Sequence, residues 1–377
     1  MQKIGIFGGT FNPVHSEHVL TAKNAISALN LDKLYIMPSH ISPHKIGADV
    51  ADFRDRFNML KLAFSGVDKA EISDFEEKKG GVSYTYETLE YFKREHSGAE
   101  LYFLMGEDMI NDFPTWKNPN IIASLTTLVF VKRADAFGGE AATAKSVEYI
   151  KSAYGAKVTE LDFCGGDDSS SKIRVYNKLG LNITPFTDKR VAEYIGKNGL
   201  YKGDVNYERV KNYLPEKRLT HTAGVILTAT LLSKKAGADK QKAELAALYH
   251  DVAKYLNPKN YPDFIDPSDG VESVTHQFLG AYLLENVFGI KDEEVINAVK
   301  YHTTGRKNMS PLEKLIFTAD AIEPSRTYKN AGDLRKLTYR DFNAGFIEVL
   351  KEIYEMLEKS GNKIYYLTKE AYDCYVL

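Results

Sequence analysis

Cysteine is almost missing from this chain: 377 residues hold two, Cys164 and Cys374, far apart. That excludes a disulfide framework and points to a reducing compartment. An excess of charge is missing too. The net charge of -2 offers no field for nucleic acid or an acidic membrane, so neither is expected as a partner. No apolar run is long enough to span a bilayer, and no charged-then-apolar leader opens the chain. A cytoplasmic protein is the expectation. There is no internal repeat and no low-complexity tract. What is present, 44% hydrophobic and 27% charged residues, reads as globular, and the length suits two domains better than one core.

The first half alternates strand-like runs with helical stretches. The runs are Ile4–Phe7, Lys33–Met37, Ala70–Ser73, Leu101–Met105, Thr127–Val131 and Lys157–Leu161. This pattern predicts an α/β, Rossmann-like parallel sheet covered by helices, with ligands at the carboxyl ends of its strands. At the end of the first run lies Gly8-Gly9-Thr10-Phe11-Asn12-Pro13-Val14-His15-Ser16-Glu17-His18, followed by helical spacing of Val19, Ala22, Ile26 and Leu29. The motif has neither the P-loop lysine nor the G-x-G-x-x-G spacing. Glycines still let backbone N–H groups approach an anion, and a helix start adds unpaired donors and partial positive charge. His15 and His18 fall on one face of the first turn and add further donors.

The string resembles the nucleotidylyltransferase signature G-x-F-[DN]-P-x-H-x-G-H. Glu17 departs from it, where the family has glycine; a carboxylate there would repel ATP unless it points to solvent. Further along, Pro43-His44-Lys45 follows the second strand, and Gly80-Gly81-Val82-Ser83-Tyr84-Thr85 precedes a helix containing Leu89 and Phe92, which its hydroxyls could cap. Asp108 follows the fourth strand; its chemistry fits a structural turn or a ribose clamp. The only tryptophan, Trp116, follows a proline in an expected loop. Ser169-Ser170-Ser171-Lys172-Ile173-Arg174 opens a helix that stops at Gly180 and forms a second anion-binding start. These elements are similar to those of nicotinate-nucleotide adenylyltransferases, with Asp168 in place of an isoleucine, over residues 1 to about 202. The resemblance implies Mg²⁺ with ATP, and nicotinate mononucleotide as acceptor. It places Gly8, Gly9, Thr10, Phe11, Ser170, Ser171 and Asp108 on the nucleotide. Thr85 and Trp116 would meet the acceptor; His15, His18, Lys45 and Arg174 would meet the phosphates.

After a candidate linker at Lys202–Asn206 the strand pattern stops and helical periodicity takes over: 216–235, 239–256, 272–287, 292–301, 312–322 and 339–359. All histidines of this half are His221, His250, His276 and His302, with Asp251 next to His250 and Asp320 inside an apolar run. A carboxylate in such a run is buried and wants a cation. Imidazoles with carboxylates suit Fe, Mn or Zn. The ordered set His221…His250-Asp251…Asp320 resembles the HD-domain metal phosphohydrolases. The words around His250, His302 and Asp320 resemble the HD family that splits diadenosine tetraphosphate symmetrically. That resemblance implies an all-α HD domain over 207–377, with His221, His250, Asp251, His276, His302 and Asp320 holding two metals, Fe or Mn. Lys254 and Arg326 would contact the phosphates of a dinucleoside polyphosphate. Two alternatives stay open: a rear half that senses nucleotides without turnover, and a front half acting on another phosphate acceptor. Oligomeric state is not legible.

Overall fold

The computed structural model describes residues 1–42, 50–133, 140–166, 168–361 and 363–377. The chain divides into two compact units: Met1–Arg174 with Asn182–Lys202, and Val175–Leu181 with Gly203–Leu377. The second thus takes in a stretch inside the 1–202 expected for the front domain. Val175, Leu179 and Leu181 share one apolar core with Tyr207 and Val210.

The first unit is a six-stranded sheet in the order β3-β2-β1-β4-β5-β6. Its strands are β1 (Lys3–Gly9), β2 (Lys33–Pro38), β3 (Ala70–Ile72), β4 (Glu100–Gly106), β5 (Thr127–Arg133) and β6 (Lys157–Gly165). All pairings are parallel. Central strands covered on both faces need near-continuous apolar runs, and Leu34–Met37 and Leu101 with Phe103–Met105 supply them. The order reverses between β1 and β4, and the carboxyl ends there open the crevice where such sheets bind ligands. β1 leads through Thr10–His15 into helix Ser16–Ala28. Phe11 takes a positive φ of 48°, and a Cβ on Gly9 would meet the Phe11 ring at 3.0 Å. A side chain at position 9 would press on that ring.

The second unit is helical. Helix Glu216–Ala236 ends on Gly237 with φ 73°, the left-handed cap expected of glycine. Helices Lys240–Tyr249 and Glu293–Lys300 start on Asp239 and Asp292, whose carboxylates accept from two backbone N–H groups each. Helix Pro311–Ile322 opens with a Ser310/Glu313 capping box. Several expectations are corrected. The helix expected over 239–256 stops at Tyr249, and His250 and Asp251 lie in the turn beyond it. Residue Val205, expected in a linker, already begins helix Val205–Tyr213, capped by Asp204. The helix expected over 339–359 is two, Ala331–Arg340 and Phe342–Ser360, because Asp341 leaves helical geometry to cap the second. Among the described residues no helix is long and apolar enough to cross a membrane.

Candidate active sites

In the first unit, the loop after β1 and the start of helix Ser170–Lys178 are tied together. Ser170 Oγ donates to Pro13 O at 2.8 Å, and Arg174 Nη1 to Asn12 O at 2.6 Å. Arg174 Nη2 also donates to Ser171 Oγ at 3.1 Å. Ser169 caps this helix, accepting from Lys172 N–H. His15 is buried and His18 half-buried; their rings stack at 3.6 Å between centroids. His18 Nδ1 accepts from the His15 backbone N–H at 3.2 Å, so the proton of the neutral ring sits on Nε2 as a donor. Gly8, Gly9, Thr10, Phe11, His15, His18, Ser170, Ser171 and Arg174 therefore belong to one region. Asp108 lies in the first turn of helix Glu107–Asp112, which follows β4 directly, its carboxylate beside Gly106. Thr85 begins helix Thr85–Glu95, and Trp116 packs edge-on against Phe103 and beside Phe113. Lys45 lies outside the described residues.

Glu17 is half-exposed, and its carboxylate accepts from the Gly166 backbone N–H at 2.7 Å, which takes up part of its charge. One expectation changes here. The helix at Thr85 is not capped by hydroxyls, since Tyr84 is the cap residue and Ser83 Oγ accepts from the His40 backbone N–H. The structure also adds Arg56, which sequence reading passed over. It is fully buried and donates to the carbonyls of Ala51, Thr10 and His40 at 2.9, 2.8 and 3.4 Å, joining three loops at the strand ends. Burial lowers its pKa from the usual guanidinium value. Asn12 Oδ1 accepts from Ala51 N–H and Tyr201 O–H in the same region.

In the second unit the histidines converge. His221 and His250 present Nε2 atoms 3.3 Å apart, and His276 and His302 present theirs 3.2 Å apart. Asp251 lies between the pairs. Its Oδ2 is 3.4 Å from His250 Nε2 and 3.9 Å from His221 Nε2. Its Oδ1 is 3.2 Å from His276 Nε2 and 3.6 Å from His302 Nε2. Asp320 Oδ1 adds a carboxylate 3.0 Å from His221 Nε2. Two metal-capable triads thus share Asp251: His221-His250-Asp251 and Asp251-His276-His302.

The donor chemistry fits cations. His250 Nδ1 and His302 Nδ1 each lie 2.7 Å from a backbone carbonyl, of Ala247 and Val299. A carbonyl only accepts, so the neutral rings carry their protons on Nδ1 and turn the Nε2 lone pairs inward. Lone pairs facing each other at such distances suit a shared positive charge. Burial pushes His276 down to about 4, which keeps it neutral and able to ligate. For His221 burial opposes protonation, and Asp320 and Glu323 outweigh it, raising its pKa. Buried Gln277 fixes the turn at His302 by accepting from Thr303 and Thr304 N–H groups.

Cations rim this cluster. Lys254 Nζ is 3.1 Å from His276 Nε2, and Arg326 Nη2 donates to Asp320 Oδ1 at 2.6 Å. Arg218, which no motif marked, donates to Asp251 Oδ2 at 2.8 Å. Its place one helical turn before His221 was the available signal.

The comparisons agree with both geometries. The Cytidylyltransferase-like family model matches residues 6–175, and the HD domain model matches residues 218–325. The chain is 30% identical over 377 residues to the "Probable nicotinate-nucleotide adenylyltransferase/Ap4A hydrolase" of Mycoplasma genitalium, covering 95% of this chain and 99% of that protein. Its front half is 37% identical over 202 residues to the "Probable nicotinate-nucleotide adenylyltransferase" of Clostridium tetani, covering 54% of this chain and all of that protein. Over 163 residues it is 37% identical to the "Bis(5'-nucleosyl)-tetraphosphatase, symmetrical" of Bacillus subtilis, covering 41% of this chain and 88% of that protein. A parallel-sheet unit with a nucleotide crevice, an HD unit with paired triads, and a relative matched nearly end to end lead to one conclusion: the chain belongs to the family of fused nicotinate-nucleotide adenylyltransferase/Ap4A hydrolases.

Proposed function

We propose that this cytoplasmic enzyme carries two activities in two domains, 1–202 and 207–377. The front domain transfers AMP from ATP to nicotinate mononucleotide. A phosphate oxygen of the mononucleotide forms a bond to the α-phosphorus, the bond to the β-phosphate bridge breaks, and pyrophosphate leaves with the electron pair. The product is deamido-NAD. The nucleophile is already an anion, so the task is alignment and neutralisation of charge in flight. His15 and His18 meet the ATP phosphates, with His18 Nε2–H nearest the developing charge. Lys45, Ser170, Ser171 and Arg174 hold the triphosphate, and Mg²⁺ accompanies it. Asp108 accepts from the ribose, Thr85 contacts the mononucleotide, and Trp116 offers a face to its pyridine ring. Gly8–Phe11 bring backbone donors close.

The rear domain cleaves diadenosine tetraphosphate at its central bridge. One water is consumed and two ADP leave. His221, His250, Asp251, His276, His302 and Asp320 would hold two divalent ions, Fe or Mn. When bound, such ions supply Lewis-acid charge to the phosphates. Lys254, Arg326 and Arg218 surround the cluster and neutralise the tetraphosphate. The observation that carries this reading is Asp251, whose two oxygens face different pairs of imidazoles.

The test is to incubate the purified chain with ATP, Mg²⁺ and nicotinate mononucleotide, and separately with diadenosine tetraphosphate and Fe²⁺ or Mn²⁺. Products are identified by mass. Deamido-NAD and ADP are expected; the absence of either removes the corresponding half of the proposal.

A further inference from the structure

We propose that Glu323 is a positioning residue of the rear centre: its carboxylate holds the His221 ring with Nε2, rather than Nδ1, toward Asp251 and Asp320. The inference rests on reading the cluster as a metal site. His250 and His302 follow the ends of their helices, where carbonyls of the last turn lack helical partners and can take an Nδ1 proton. His221 sits inside helix Glu216–Ala236, where the neighbouring carbonyls are engaged by the helix itself. Its acceptor must come from elsewhere, and it comes from 102 residues away: Glu323 Oε1 lies 2.9 Å from His221 Nδ1.

Glu323 is built for this. It is 1% exposed. Its Oε2 accepts from the Ser325 backbone N–H at 2.7 Å, and its Oε1 from the Ser325 hydroxyl. Space is reserved for it as well: a methyl group on Gly224, one turn beyond His221, would overlap Oε2. An outer carboxylate that orients a metal-binding imidazole changes metal affinity by about 10- to 100-fold in other sites.

Glu323→Gln gives a sharp test. The Ser325 N–H needs an oxygen opposite it, so the amide NH₂ turns toward His221 and Nδ1 must become the acceptor. The ring proton then moves to Nε2, the atom 3.0 Å from Asp320 Oδ1 and 3.9 Å from Asp251 Oδ2. Histidine tautomers are read by ¹⁵N NMR on the metal-free full chain at pH 8.5, and Mn²⁺ binding by calorimetry. The expected result is an inverted His221 tautomer, unchanged His250 and His302 tautomers, and Mn²⁺ binding weaker by about 10- to 100-fold. Gly224→Ala, which intrudes on the same oxygen, weakens Mn²⁺ binding in the same direction. An unchanged tautomer with affinity within threefold of wild type overturns the role of Glu323 and leaves the metal site standing. Failure of the wild-type protein to bind Mn²⁺ or Fe²⁺ overturns both.

Discussion

His18→Ala separates catalysis from folding in the front domain. The ring is half-buried at the helix start and stacks on His15 at 3.6 Å and against the edge of Phe11 at 4.8 Å. Each ring contact is worth about 1 kcal/mol. A total near 2 kcal/mol lowers the melting temperature of a unit this size by about 4–8 °C. The larger effect falls on rate. Nδ1 accepts from the His15 N–H, so the neutral ring donates through Nε2–H. Removing one donor aimed at developing charge costs about 3 kcal/mol, or on the order of 100-fold in kcat. Pyrophosphate release at saturating ATP and nicotinate mononucleotide reads the rate, and the single tryptophan, Trp116, reads unfolding of the front unit by fluorescence. Hydrolysis of diadenosine tetraphosphate by the same preparation is the internal reference and stays unchanged. A variant turning over within threefold of wild type refutes the assignment of His18.

Asp251→Asn should strip both triads of their common ligand: metal content measured by plasma emission falls, hydrolysis of diadenosine tetraphosphate drops by more than about 100-fold, and adenylyl transfer is untouched. Glu76 is buried and accepts from Thr88 at 2.8 Å; burial raises its pKa. The folded chain therefore holds this proton more tightly than the unfolded one, and the resulting stability is present below 4.5 and lost as pH rises above it. Glu76→Gln removes that loss, so its stability relative to wild type, followed by Trp116 fluorescence in urea, improves between pH 4.5 and pH 8; a difference constant with pH contradicts this. Arg56→Met leaves the carbonyls of Thr10, His40 and Ala51 without their donor and destabilises the front unit by about 3–5 kcal/mol, read as a lower urea midpoint of the same signal.

What the sequence made legible was local or periodic. Runs such as Leu34–Met37 and Phe103–Met105 announced central strands because burial on both faces demands uninterrupted apolar residues. The six rear residues expected to hold metal were legible as a family pattern, and the fold brings their side chains together. Chain geometry at the ligands was less visible. Apolar periodicity carried a helix through His250, yet the backbone turns after Tyr249. Asp341 reads as an ordinary polar position until its cap splits a helix. Least visible were partners fixed by tertiary distance. Glu17 and Gly166 meet across 149 positions, His221 and Glu323 across 102, and no spacing rule connects such pairs. Arg56 likewise lies in a helical run where an arginine carries no local mark.

A single carboxylate stands between two groups of donor atoms and serves both. An ion at either triad draws on the one negative charge that the other needs, each through its own oxygen, so the two triads cannot act independently. Titration with one kind of ion is then expected to give linked steps rather than two equal ones. A protein half loaded, or loaded with unlike ions, would be a chemically distinct species and not a dilution of the full one.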